Sequence, residues 1–273
     1  MQTQAVRCNL CAEDNYRVLE RSEEFAVVKC RSCGLIYVNP QPDKTVLFAH
    51  YNEAYFSPWY DKQRFARIKM WQRRLKEIES KVKPGVLLDV GSGCGQFLAE
   101  AKKRGWQVHG NEISGHGVQY AKTRFGIDLV NAELPDAGFP ENFFDVVTMW
   151  HVLEHTRDPL AHLQVCRRML KLGGLLVVAV PNADDLLFQW AYMLLRLRRT
   201  KYFTPGDREL HLFQFSKQTL EAMLLKAGFT QMRYNLDTGH TVYSDRILDF
   251  FASAIYAVFR INLGLAFEIL ATK

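Results

Sequence analysis

The chain has 273 residues, 48% of them apolar and 23% charged, with a net charge of +6. That length buries a full core and suits one large domain with an appendage, and the composition is that of an ordinary globular protein. It excludes a membrane-spanning helix, since the nearest apolar window, 247–270, is broken by Asp249, Arg260 and Glu268. The basic balance allows nucleic acid, anionic lipid or phosphorylated ligands and selects none of them.

The opening stretch MQTQAVRCNL has no basic segment leading into an apolar core, which gives the expectation of a cytoplasmic protein. Four of the six cysteines form two pairs, Cys8 with Cys11 and Cys30 with Cys33. Two such turns joined by a short hairpin supply four thiolates to one closed tetrahedral zinc site, which we expect to be structural within a ribbon spanning 1–40. Cys94 and Cys166 have no paired partner and read as ordinary buried thiols.

After NPQP at 39–42, a helical connector is expected over 41–84. Phe65, Ile68, Trp71, Leu75, Ile78 and Val82 recur at spacings of three and four, with Arg67, Arg73, Arg74, Lys76 and Glu77 between them. That pattern predicts an amphipathic helix whose charged face is solvated.

The run Val86, Leu87, Leu88 and Val90 predicts a central parallel strand, apolar in succession because both of its faces are covered, with Asp89 near its end. Glycines at 91, 93 and 95 follow, and a helix opens at Gln96. Such a turn lets backbone approach a ligand at the positive end of a helix. Strand and helix then alternate. Helices are expected at 96–104, to 125, 159–170 and 217–227, and strands at 107–111, 128–130, 145–150, 175–180, 227–236 and 266–273, which makes a doubly wound, mostly parallel seven-stranded α/β sheet. Glu112, 21 residues after Gly91 at a strand tip, is placed to accept hydrogen bonds from ribose hydroxyls. Gln96 stands where the dinucleotide fingerprint needs glycine, so the loop departs from that pattern.

DVGSGCG, Glu112, FDVVTMWHVLEHTRDP and LKLGGLLVVAVPN together resemble class I S-adenosylmethionine-dependent methyltransferases of the ubiquinone or sugar type, over 85–273. CRSCGLIYVNPQP resembles the zinc-ribbon leader of some of these proteins, and HLFQFSKQTLEAMLLKAGF resembles their segment at 211–229. The resemblance implies a Rossmann-like fold and cofactor contacts from Asp89, Gly91, Gly93 and Gly95. It also implies that Glu112 binds the ribose, that Ile113 covers the adenine beside a contact from Asn131, Ala132 or Glu133, and that Trp150 and His151 border the methyl group.

A base is needed only for a reluctant acceptor such as a hydroxyl, and histidine suits that task near neutral pH. His151 and His211 are the catalytic candidates, whereas Glu154 and His155 read as a structural turn. Acceptor specificity is expected in lid insertions at about 181–216 and 237–263. Segments 185–203 and 244–261 are greasy with basic ends, which suits a dimer interface or peripheral contact with a membrane or lipid-linked substrate. The favoured expectation is methyl transfer to a small molecule. An RNA base methyltransferase is the alternative, opposed by the acidic ribbon hairpin with Glu13, Asp14, Glu20, Glu23 and Glu24.

Overall fold

In a computed structural model, the described residues are 3–48, 51, 53–60, 63–184, 202, 210–237, 256 and 265–273. The central sheet grows from the run predicted to be fully buried. β6 (Val86–Val90) lies between β7 (Gln107–Asn111) and β8 (Phe144–Trp150), both parallel to it, and β9 (Leu170–Pro181) continues in parallel. β12 (Ala266–Thr272) pairs antiparallel with β9, and β11 (Thr230–Leu236) closes that edge, also antiparallel. The resulting order is β11-β12-β9-β8-β6-β7.

Alternation along the strands divides the core between the two faces of this sheet. Leu87, Val146 and Val177 pack on one side with helices α3 (Arg64–Glu79) and α4 (Gln96–Lys103). Leu88, Val147 and Val178 pack on the other with α6 (Pro159–Met169) and α7 (Lys217–Lys226). The expected seventh strand at 128–130 is present only as a single parallel bridge between Val130 and Asn111. β9 starts earlier than predicted, because Leu170 already pairs with Phe144.

The amino-terminal cysteines sit in a second, antiparallel sheet of β2 (Tyr16–Arg21), β3 (Ala26–Cys30) and β4 (Ile36–Asn39). Its fourth strand is β10 (Phe213–Gln214), in which Phe213 lies opposite Tyr37. Part of the stretch expected to be lid is therefore ribbon. Val28, Leu35 and Phe213 belong to the same continuous core as Leu88 and Val147. Asn9 accepts a hydrogen bond from Leu160 N at 2.9 Å, and Lys226 Nζ donates to the Leu10 carbonyl at 2.5 Å, so the ribbon is docked on α6 and α7.

Helix α3 corrects the predicted amphipathic face. Phe65 is 77% exposed while Arg74 is buried, because the face toward the sheet carries Trp71, Arg74, Leu75 and Ile78. Helices α1 (Lys44–Phe48) and α2 (Glu53–Tyr60) precede it, and α5 (Gly115–Phe125) follows β7. The segments 185–203 and 244–261 lie outside the described residues apart from Tyr202 and Tyr256. Among the described residues no helix is long and apolar enough to cross a membrane.

Candidate active site

The carboxyl ends of β6, β7 and β8 open into one cavity, where an open α/β sheet presents its ligand site. Gly91 and Gly93 have φ of 65° and 54°, conformations open to glycine at no steric cost. A Cβ on Gly91 would stand 2.7 Å from the Val152 side chain, so the turn admits no larger residue without a shift. Gly95 has another task. It starts α4 with φ 72°, its Cβ position lies 2.8 Å from Ala121, and it is absent from the cavity wall.

Glu112 fixes the loop from the tip of β7. Its two carboxylate oxygens accept from Gly93 N and Ser114 N, each at 2.8 Å. Burial pushes the acid's pKa up, and these backbone donors pull against that shift. Asp89 is also buried. Thr148 Oγ1 donates to it at 2.7 Å, and burial raises its pKa to about 7.

Across the cavity, Trp71 and Arg67 of α3 join Phe97 and Trp150 in the wall, with Arg74 behind them. Trp71, Phe97 and Trp150 meet with ring centroids 5.3 to 5.8 Å apart. The Arg74 guanidinium lies 4.3 Å from the centre of the Trp150 ring and donates twice to Asp237, at 2.6 and 2.5 Å. Arg67 stacks 5.4 Å from the Trp71 ring and lines the same cavity. Burial lowers its pKa to about 10, so it stays cationic at neutral pH.

His151 begins the loop after β8 and also lines the cavity. Its Nε2 is 3.1 Å from Asp237 Oδ2 and its Nδ1 is 3.6 Å from Glu154 Oε1. Glu154 and His155 form a short 3-10 turn, as expected. His211 packs edge-on to His155 with centroids 4.8 Å apart and stands behind the wall rather than in it.

A family model for the methyltransferase domain matches residues 60–233. The chain belongs to the methyltransferase-domain family. Ubiquinone biosynthesis O-methyltransferase from Cereibacter sphaeroides is 34% identical over 110 residues, which cover 38% of this chain and 44% of that protein. The match thus spans less than half the length of that relative. Demethylmenaquinone methyltransferase from Staphylococcus epidermidis is 28% identical over 193 residues, covering 64% and 80% of the two chains.

Solved methyltransferases share the fold of this family member. A SAM-dependent methyltransferase from Archaeoglobus fulgidus has a TM-score of 0.55 at 19% identity, covering 81% of this chain and all of its own. The Burkholderia thailandensis 1,6-didemethyltoxoflavin-N1-methyltransferase, determined with 1,6-didemethyltoxoflavin and S-adenosylhomocysteine bound, has a TM-score of 0.54 at 14% identity, covering 95% and 99%.

Within this methyltransferase-family chain, Asp89, Gly91, Gly93, Glu112, Ile113, Trp150 and His151 all line one cavity. Asn131 and Ala132 do not. The Asn131 side chain donates to the Glu112 and Ile113 carbonyls at 2.8 and 3.0 Å, while Glu133 and Leu134 supply the wall beyond them. Arg67, Arg74 and Asp237 escaped the sequence reading. The arginines looked like a solvated face, and Asp237 lies far along the chain from both partners.

The four paired cysteines come together at the ribbon's end. Their sulfurs all lie within 4.8 Å of one another, with Cys8 and Cys33 at 3.4 Å and Cys11 and Cys30 at 3.5 Å. Tetrahedral zinc with Zn–S bonds of about 2.3 Å needs sulfurs about 3.8 Å apart, so the donor set fits.

Proposed function

We propose that this protein transfers a methyl group from S-adenosylmethionine to a small planar acceptor, with a structural zinc held by Cys8, Cys11, Cys30 and Cys33. The observation that carries the reading is the buried Glu112 carboxylate at the tip of β7, clamped to the Gly91–Gly93 turn at the mouth of one cavity. When bound, the cofactor supplies an activated methyl group on a sulfonium. In this reading Glu112 receives the ribose hydroxyls, and Gly91 and Gly93 with Asp89 receive the amino-acid end. The α-carboxylate there meets Arg67, whose charge is felt at the Cys94 thiol of the glycine turn. Gly95 supports the turn from behind, Ile113 covers the adenine, and Asn131 and Ala132 hold the backbone around it.

On the acceptor side, Trp71, Phe97 and Trp150 offer flat apolar surface, and His151 stands beside them. His211 is assigned a supporting role through His155. Excluding water and aligning the acceptor oxygen with the methyl carbon supply much of the rate in such a displacement. Relatives named for ubiquinone and menaquinone biosynthesis favour a quinone-like phenolic acceptor over a sugar.

Calorimetry tests the cofactor site. The wild-type chain should bind S-adenosylmethionine, and Glu112→Ala should weaken binding about 10–100-fold, the loss expected when charge-assisted hydrogen bonds disappear. Equal affinity in the two proteins would remove Glu112 from the site. Transfer of labelled methyl into a fractionated cell extract tests the substrate class. Label in the small-molecule or lipid pool supports the reading, and label confined to RNA overturns it.

A further inference from the structure

The way His151 is held decides what it does. Its backbone has φ 54°, a conformation that costs a non-glycine residue energy and persists only where surrounding contacts impose it. Asp237 faces one ring nitrogen and Glu154 the other. Glu154 is 1% exposed, and neither of its oxygens receives a hydrogen bond. Asp237 already has a cationic partner in Arg74. A neutral His151 would leave the buried Glu154 carboxylate facing only the more distant His155 ring, 3.9 Å away, which is costly. With the ring protonated the four charges pair off, Arg74 with Asp237 and His151 with Glu154.

His155 shares the Glu154 contact, its Nε2 lying 3.9 Å from the same oxygen with His211 packed against it, but His151 is nearer at 3.6 Å and is the ring that also faces Asp237. Glu268, behind Asp237 on β12, has its pKa pushed up to about 8 by burial and by the Asp237 and Glu77 charges, so it adds little negative charge at neutral pH. Burial alone would lower the His151 pKa, but the contacts with Asp237 and Glu154 outweigh it and raise the value to about 9.

We propose that His151 is a fixed cation at the cavity wall for an acceptor that arrives already ionised, an acidic phenol or enol, and that Asp237 and Arg74 are its positioning residues. A protonated ring cannot remove a proton, so the nucleophilic oxygen must reach it as an anion. Both ring nitrogens face carboxylates, Asp237 at Nε2 and Glu154 at Nδ1, so the ring acts on that oxygen through its charge at the cavity wall. In the transfer step a lone pair of the acceptor oxygen forms the new O–C bond. The C–S bonding pair passes to sulfur, the sulfonium becomes a neutral thioether, and no proton moves. The ring's charge favours the ionised acceptor and tempers its nucleophilicity, so its loss falls on KM more than on kcat. This proposal rests on the methyl-transfer reading above.

The test uses the full chain labelled with 13Cε1-histidine and loaded with S-adenosylhomocysteine. His151→Gln identifies the His151 signal among those of the eight histidines. The wild-type ring should titrate at about 9, and Asp237→Asn should lower that midpoint by about 1–3 pH units. In parallel, 4-nitrophenolate should bind the loaded protein at least about tenfold more tightly than neutral 4-nitrobenzyl alcohol, and His151→Gln should erase the preference. A wild-type midpoint below neutrality, or equal binding of the two probes, overturns the proposal. If Asp237→Asn fails to fold, the wild-type titration and the probe comparison still decide. Failure to bind S-adenosylhomocysteine at all would instead sink the methyl-transfer reading.

Discussion

Asp237→Ala should destabilise the fold by about 3–5 kcal/mol, the range for removing one partner of a buried ion pair. The side chains of Arg74 and Asp237 are only 6% and 3% exposed, and the guanidinium is sandwiched against Trp71 and Trp150. Truncation leaves that charge with no carboxylate in reach of its present hydrogen bonds and deprives His151 of its Nε2 partner. The pH dependence follows from the same contacts. Burial would raise the Asp237 pKa, but the Arg74 and His151 charges hold it well below the usual carboxylate range. Its contribution is therefore full above the unfolded carboxylate value of about 3.9 and is lost as pH falls toward the folded one. His151 works in the opposite sense, because its folded pKa is raised. Its contribution is full below the unfolded value of about 6.5 and is lost as pH rises through about 9. Urea unfolding of both proteins from acid to alkaline pH checks this. The wild type should lose stability at both ends, and the variant should start lower with a flatter profile. Equal midpoints in the two proteins would show that the pair contributes nothing.

Removing the proposed zinc should loosen the cysteine end of the ribbon, because apparent zinc-binding energies in small zinc modules are about 10–16 kcal/mol, while Val28, Leu35 and Phe213 keep the sheet anchored in the main core. The effect should also reach the cavity. The Leu210 carbonyl is hydrogen-bonded to His155 Nδ1 at 3.2 Å, Leu210 lines the wall, and the adjoining Leu212 and Phe213 tie this segment to β4. Chelation should therefore weaken S-adenosylhomocysteine binding about tenfold, equivalent to about 1.4 kcal/mol. Zinc content by mass spectrometry, far-ultraviolet circular dichroism and calorimetry before and after chelator give the readouts. Unchanged circular dichroism and unchanged S-adenosylhomocysteine affinity after zinc removal would defeat this account.

The parts of the fold legible in the sequence were those written in local patterns. Val86–Val90 is apolar apart from Asp89 because its sheet is covered on both faces, and Gly91, Gly93 and Glu112 lie at spacings set by one βαβ unit. The ends of β7 matched expectation, since Gln107 and Asn111 are bounded by a turn and the acidic tip. Arg74 was illegible for a physical reason. A charge on a helix normally faces water, and its burial becomes tolerable only through Asp237, which arrives from β11 on the far side of the sheet order. Phe65 misled in the converse way, because helical spacing cannot tell where the neighbouring sheet stops. A two-residue strand such as Phe213–Gln214 carries no periodicity of its own, and neither does a single bridge at Val130. Of the stretch 131–133 that the family pattern indicated, only Glu133 reaches the cavity wall, and Leu134 just beyond it joins it there.

The ribbon's fourth strand bears on how the chain matures on the ribosome. All four thiols emerge early, and β2, β3 and β4 can pair as soon as they clear the exit tunnel. The outer edge of β4 stays open until Phe213 and Gln214 arrive, after most of the central sheet has been made. At about 5–20 residues per second, that unpaired edge is exposed for many seconds, long enough to meet other nascent chains. The length of the chain between Tyr37 and Phe213 thus sets a window in which synthesis speed and chaperone access govern the yield of active protein.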